Sequence, residues 1–82
     1  MTKDEILVQV KNAVMDVLPE ISSDDITPDK SLVDLGANSI DRSEIILQSM
    51  MDVGVKASLV EVGTIKKIDD LVNFYYSKLE AK

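Results

Sequence analysis

The sequence predicts an all-α domain of three main helices and one short extra helix, with a long connection between the first two main helices. Three observations predict it. Apolar residues recur at three- and four-residue spacing in three segments, the pattern of amphipathic helices. Capping residues and breakers bound those segments. No segment alternates apolar and polar residues for long enough to read as a strand. The 82 residues are expected to form one domain, 1–82, and a chain this short buries only about 60 % of the surface its unfolded form exposes, so its core is small.

The first helix reads as Lys3 to Leu18. Thr2 with Glu5 three places on is a capping-box pattern. Ile6, Val10, Ala13, Val14 and Val17 form its apolar stripe, and Pro19 ends it because proline disfavours helix in the residue before it. Residues 19–38 form the connection. Twenty structureless residues are unusual in so small a domain, but Ile21, Ile26, Leu32, Val33 and Leu35 are expected to pin this segment across the helical core. Ser23-Asp24-Asp25 suits a single helical turn, and Thr27-Pro28-Asp29 is a turn initiator. The second helix is expected from Ser39 to about Asp52, with Gly36 allowing a tight approach, Asn38 or Ser39 as cap, and Gly54 as stop. Ser58 to Val62 reads as a helical stub ended by Gly63. Thr64 is expected to cap a last helix from Ile65 to about Leu79, with Ile68, Leu71, Val72, Tyr75 and Leu79 as its core stripe.

Composition narrows function. The chain has no cysteine and no histidine, so it lacks a thiolate nucleophile, the usual neutral-pH acid–base residue and the common zinc ligands. This inventory argues against a self-contained enzyme and against a metal centre. Asp and Glu number 15 against 9 Lys and Arg, a formal charge of −6. That field disfavours nucleic acid and anionic membranes and favours a basic partner surface. The first twenty residues carry charge throughout, unlike a signal peptide, and no apolar run is long enough to span a bilayer. The expected compartment is the cytoplasm, and the expected state is a monomer. Asp24, Asp25, Asp29 and Asp34 raise the thought of a calcium site, but they lack the spacing and the terminal glutamate of an EF-hand loop.

The segment Asp34-Leu35-Gly36-Ala37-Asn38-Ser39-Ile40 resembles the attachment motif Asp-Leu-Gly-x-Asp-Ser-Leu of the acyl carrier protein family. Ile26-Thr27-Pro28-Asp29 upstream, Asp41 and Glu44 downstream, and Thr64-Ile65-Lys66-Lys67-Ile68-Asp69-Asp70-Leu71 also fall where the family has such residues, so the resemblance covers nearly the whole chain. It implies an acyl-carrier-like four-helix bundle and a covalent 4′-phosphopantetheine arm on Ser39 that holds acyl thioesters and shuttles them between biosynthetic enzymes. The chemistry suits the position. A carrier serine needs no internal base, since a phosphopantetheinyl transferase activates it, and the free amides and dipole of a helix start favour a phosphodiester. Without the flanking motif, Ser39 would read as an ordinary helix cap.

Two residues depart from the motif. Asn38 replaces the usual aspartate and Ile40 the usual leucine. Losing one exposed charge pair costs about 0–1 kcal/mol, so modification should survive while transferase preference changes. On a helical wheel of about 100° per residue, the widest apolar arc of the second helix holds Ile40, Ile46, Leu47, Met50 and Met51, which simple amphipathicity would bury. The resemblance implies a different split: Ile45, Ile46 and Val53 toward the core, and Ile40, Asp41, Glu44, Leu47 and Met51 toward partners. That leaves an exposed apolar ridge suited to docking by burial, with Met51 as an adaptable contact.

Arg42 is the sole arginine, and it reads either as part of this recognition face or as one half of an i,i+3 or i,i+4 helix pair. The string Ser39-Ile-Asp-Arg-Ser-Glu-Ile45, followed by Ile46, resembles free-standing carriers of bacterial polyketide clusters that install β-branches, which implies acetyl delivery to a hydroxymethylglutaryl (HMG) synthase-like enzyme. Acyltransferases and ketosynthases are the other expected partners, with polyketide or fatty acid synthesis as the setting. Two alternatives stand beside this one: a cofactor-free acidic helical interaction module, and a peptidyl or D-alanyl carrier.

Overall fold

A computed structural model of the chain describes residues 1–80; the last two positions of the expected 1–82 domain lie outside them. Four α-helices follow in order: α1 (Lys3–Val17), α2 (Ser39–Val53), α3 (Leu59–Val62) and α4 (Ile68–Glu80), with a single 3-10 turn at Ser23–Asp25 in the long loop. Among the described residues there is no strand, only an isolated antiparallel bridge between Ser31 and Lys67.

The capping box of α1 forms as expected. The Glu5 amide donates to Thr2 Oγ1 at 3.1 Å and the Thr2 amide donates back to Glu5 Oε1 at 2.8 Å. The Glu5 carboxyl is held below its usual range, first by the Thr2 backbone donor and then by its hydroxyl. At the other end Leu18 caps the helix, its amide reaching Val14 O at 2.7 Å.

Helices α1, α2 and α4 share one core. Ile6, Val10, Ala13 and Val14 from α1 meet Ile45, Ile46, Met50 and Val53 from α2, and Ile68, Leu71, Val72 and Tyr75 from α4. Each fully buried aliphatic side chain here stabilises by about 1.5–3 kcal/mol. Val17 and Leu79, expected in the stripes, pack at the margin of the cluster. The core also encloses one pair of polar groups. Ser49 and Tyr75 are both 0 % exposed; their hydroxyls lie 2.6 Å apart, and Ser49 Oγ donates to Ile46 O at 3.0 Å. The apolar stripe of the last helix includes Tyr75 but says nothing of this bond. A serine three residues after Ile46, at a core position of α2, is the sequence signal for it.

The long loop is pinned as its apolar residues suggest, with one correction. Ile26, Leu32 and Leu35 are buried and Ile21 packs against them, but Val33 is 62 % exposed. Leu32 and Leu35 turn inward across a tight turn closed by Leu35 N to Ser31 O at 3.3 Å, which leaves Val33 on the outside.

A second correction concerns the last helix, which begins at Ile68 rather than Ile65. Thr64 does not cap it; its hydroxyl donates to Glu61 O at 3.2 Å and so finishes α3. Ile65–Lys67 instead run beside the loop, with Leu32 N donating to Lys66 O at 3.4 Å. The first amides of α4 find their partners in that loop: Ile68 N donates to Lys30 O and Asp69 N to Pro28 O, both at 2.9 Å.

The glycines also differ from expectation. Gly36 is needed for its backbone, at φ 90°, and a Cβ there would meet nothing within 4 Å. The close approach belongs to Gly63, where a Cβ would lie 2.7 Å from Leu59 O. Gly54 does stop α2 as expected, in the left-handed conformation, with the helix running to Val53 rather than Asp52.

Candidate functional site

The start of α2 is built by two reciprocal turns. Ser31 N donates to Asp34 Oδ2 and Asp34 N to Ser31 Oγ, both at 3.0 Å. These bonds, the backbone donor first, hold the Asp34 carboxyl below its ordinary range. The chain then crosses Gly36 and buries Ala37, whose amide donates to Leu32 O at 3.1 Å. Asn38, not Ser39, is the cap: Asp41 N donates to Asn38 Oδ1 at 2.8 Å, and Asn38 N reaches Asp41 Oδ2 at 3.4 Å. Asn38 therefore retains the capping ability of the aspartate it replaces. Asp41 is half-buried and engaged in this box, a local role that the recognition-face reading did not foresee.

Capping by Asn38 frees Ser39. It is the first residue of α2 and exposed, and its hydroxyl makes no hydrogen bond among the described residues; its carbonyl accepts from Ser43 Oγ at 3.1 Å. Beside it opens a cleft of about 640 Å³. Leu32 and Val33 of the loop form one wall, Ser39, Arg42 and Ile46 of α2 another, and Leu59, Ile65 and Lys66 the third. Lys66 and the α3 residues were not anticipated, because only the tertiary fold brings them to Ser39.

Arg42 does not make the helix pair that its spacing left open. Positions three and four away are Ser39, Asn38, Ile45 and Ile46, none of them acidic, so no carboxylate faces it. Its Nη1 donates instead to Ala37 O at 3.1 Å, and the half-buried guanidinium lines the cleft next to Ser39.

The rest of α2 divides its faces as the resemblance implies. Ile45, Ile46 and Val53 are buried, whereas Ile40 is 68 %, Leu47 45 % and Met51 81 % exposed, with Glu44 also exposed. The widest-arc reading fails at Ile40, Leu47 and Met51, and holds at Ile46 and Met50. The physical reason is that α2 packs on α1 and α4 on one side, while α3 is too short to cover the other. Val60 of α3, 85 % exposed, adds to the apolar surface.

Residues 8–75 match the family described as "phosphopantetheine attachment site". Over 81 residues the chain is 33 % identical to a polyketide biosynthesis acyl carrier protein, AcpK, of Bacillus subtilis, with 99 % of each chain covered. It is 32 % identical to an acyl carrier protein of Petrotoga mobilis over 80 residues, covering 96 % of this chain and 93 % of the relative. Among solved structures it is similar to a chain in the complex of the curacin-pathway HMG synthase with its acetyl donor acyl carrier protein. That likeness has a TM-score of 0.85 and 29 % identity, and covers 95 % of this chain and 100 % of the other.

The site fits the group that this family carries. Ser39 offers an unengaged, exposed hydroxyl, Arg42 and Lys66 offer charge for a phosphodiester, and the cleft offers apolar and hydroxyl-bearing walls for a slender chain. Among the described residues no cluster could hold a metal ion, and no helix is long and apolar enough to cross a membrane.

Proposed function

The chain belongs to the phosphopantetheine attachment-site family, the acyl carriers rather than enzymes, and from that premise we propose that Ser39 bears its 4′-phosphopantetheine arm. The observation that carries this reading is the unengaged hydroxyl at the exposed start of α2, beside a cleft lined by Arg42 and Lys66. When bound, the arm supplies a flexible tether and the thiol that this cysteine-free chain lacks. The protein's own residues do the rest. Asn38 takes the capping duty from Ser39, Gly36 turns the loop so that Ser39 faces outward, and the α2 surface meets the enzymes that load and unload the arm.

The pathway we infer is polyketide synthesis, with the carrier delivering acetyl units to an HMG synthase-like enzyme for β-branching. The similarity to AcpK and to the donor carrier of the curacin complex supports it. The recognition face comprises Ile40, Asp41, Arg42, Glu44, Leu47 and Met51; its apolar ridge supports docking by burial, flanked by Asp41 and Glu44 for a basic rim. The working partners are a phosphopantetheinyl transferase and, in the pathway, acyltransferases, ketosynthases or the HMG synthase-like enzyme. The carrier acts as a monomer in the cytoplasm.

The test is intact mass after incubation with coenzyme A, magnesium and a broad-specificity phosphopantetheinyl transferase. One added phosphopantetheine on the parent and none on Ser39→Ala is the expected result. A folded parent that gains nothing, with a dedicated transferase as well, would leave a carrier fold used as a cofactor-free interaction module. Acetyl and malonyl loading, followed by transfer to an HMG synthase-like enzyme, tests the pathway; a carrier that passes malonyl but not acetyl units sinks the donor assignment.

A further inference from the structure

Arg42 stands where helix electrostatics would not put a cation. It lies in the first turns of α2, where the dipole favours negative charge, and no carboxylate neutralises it among the described residues. Yet it is held there. Nη1 is pegged to the carbonyl of Ala37, a buried residue whose own amide is fixed on Leu32 O, so the guanidinium stands on rigid backbone. Only one donor of its five-donor fork is used by that bond. It sits three residues after Ser39, one turn along the same helix face, and both line the same cleft. From the facing wall comes Lys66, whose carbonyl is tied to Leu32 N. In a chain of net charge −6, two cationic residues thus line the cleft, and of its three serines, Ser31, Ser39 and Ser43, only Ser39 has a hydroxyl with no hydrogen bond among the described residues.

We propose that Arg42, with Lys66 across the cleft, binds the phosphodiester of the arm and holds the proximal part of the arm in this cleft. The inference rests on the assignment of Ser39 as the attachment site. A phosphodiester on Ser39 Oγ is one bond from the chain, so it is the anion that the fork meets without any search. A guanidinium is suited to it, since a planar fork can give two parallel N–H donors to phosphate oxygens. The peg to Ala37 anchors the guanidinium at the lining of the cleft beside Ser39, so Arg42 can meet the protein's own arm while standing at the edge of the recognition face.

The experiment compares parent, Arg42→Gln and Arg42→Lys as fully modified holo-proteins. Gln keeps an amide donor for Ala37 O while removing the charge, and thermal melts establish that each variant is folded. Phosphorus NMR reports the phosphodiester, and amide spectra of apo and holo forms report the cleft. In the parent, modification should broaden and shift the phosphorus signal relative to free coenzyme-derived diester and move the amides of Leu32, Ile65 and Lys66. In Arg42→Gln the phosphorus signal should narrow and those amide shifts should be lost, with partial recovery in Arg42→Lys. An arginine that serves only partner enzymes would slow modification yet leave the holo spectra unchanged, and that result overturns the proposal. Absence of any mass gain removes the attachment reading itself, so the two failures are distinguishable.

Discussion

Replacing Tyr75 by phenylalanine and Ser49 by alanine should have unequal effects, and the geometry says which is worse. In Tyr75→Phe the ring stays and only the hydroxyl goes; Ser49 Oγ still donates to Ile46 O at 3.0 Å, so no donor is orphaned. The loss is one net hydrogen bond, about 0.5–1.5 kcal/mol. Ser49→Ala removes the 2.6 Å partner and leaves a fully buried phenol with only Ile46 O at 3.4 Å, so the cost approaches that of an unsatisfied polar group, about 1–3 kcal/mol. The double variant, with neither hydroxyl, should recover part of the Ser49→Ala loss and be less destabilised than the two singles added. Urea unfolding followed by circular dichroism, with apo-protein throughout, gives all four corners of the cycle. The same tyrosine sets an alkaline limit. Burial pushes its phenol up to about 12 from 10.0, against the opposing bond from Ser49. A raised folded pKa means stability is complete below 10 and declines between 10 and about 12, by about 2–3 kcal/mol at about 1.4 kcal/mol per pKa unit. Tyr75→Phe should flatten that decline. Equal costs for the two single variants, strict additivity in the double, or an unchanged alkaline slope in Tyr75→Phe would refute the reasoning.

Four further outcomes are expected. Stability should fall as the pH drops from about 5 downward, because the carboxyls of Glu5, Asp29, Asp34 and Glu61 all lie below their usual values in the fold; urea midpoints against pH measure it, and Thr27→Val should flatten the share of Asp29, whose largest cause is the Thr27 hydroxyl. Gly36→Ala should cost about 1–2 kcal/mol in the same unfolding assay, from its left-handed backbone alone. Asn38→Asp should leave the melting temperature nearly unchanged and raise the rate of modification by a basic transferase, whereas Asn38→Ala should lose about 1 kcal/mol of cap. Met51→Ala should weaken binding to the partner enzyme about tenfold, roughly 1.4 kcal/mol by calorimetry, while mass gain at Ser39 stays complete.

Much of this architecture is legible in the sequence because it is decided locally. Thr2 and Glu5 cap a helix wherever they occur at that spacing, and Pro19, Gly54 and Gly63 mark ends that the fold respects. The start of α4 is not legible for the opposite reason: Thr64 looks like a cap, but the true partners of the first amides are carbonyls of Pro28 and Lys30, far away in the chain. Val33 failed because a loop has no periodicity to say which of two adjacent apolar residues turns inward. At the site, the motif singles out Ser39, which the fold leaves exposed, and the exposure of Ile40, Leu47 and Met51 follows from the resemblance where the helical wheel alone would bury them. Lys66 and the peg beneath Arg42 are tertiary facts, and no spacing in the sequence encodes them.

The docking of the loop onto the start of α4 has a consequence for how the molecule opens. Amides of Ile68 and Asp69 are protected by carbonyls some forty positions earlier, so they cannot exchange with solvent by fraying of α4 alone. Their hydrogen exchange must report separation of the loop from the helix. That same loop supplies Leu32 and Val33 to the wall of the cleft beside Ser39. The amides of Ile68 and Asp69 therefore act as a clock for the persistence of the cleft, and a change in their exchange rates when the arm is attached would measure how tightly attachment and local opening are linked.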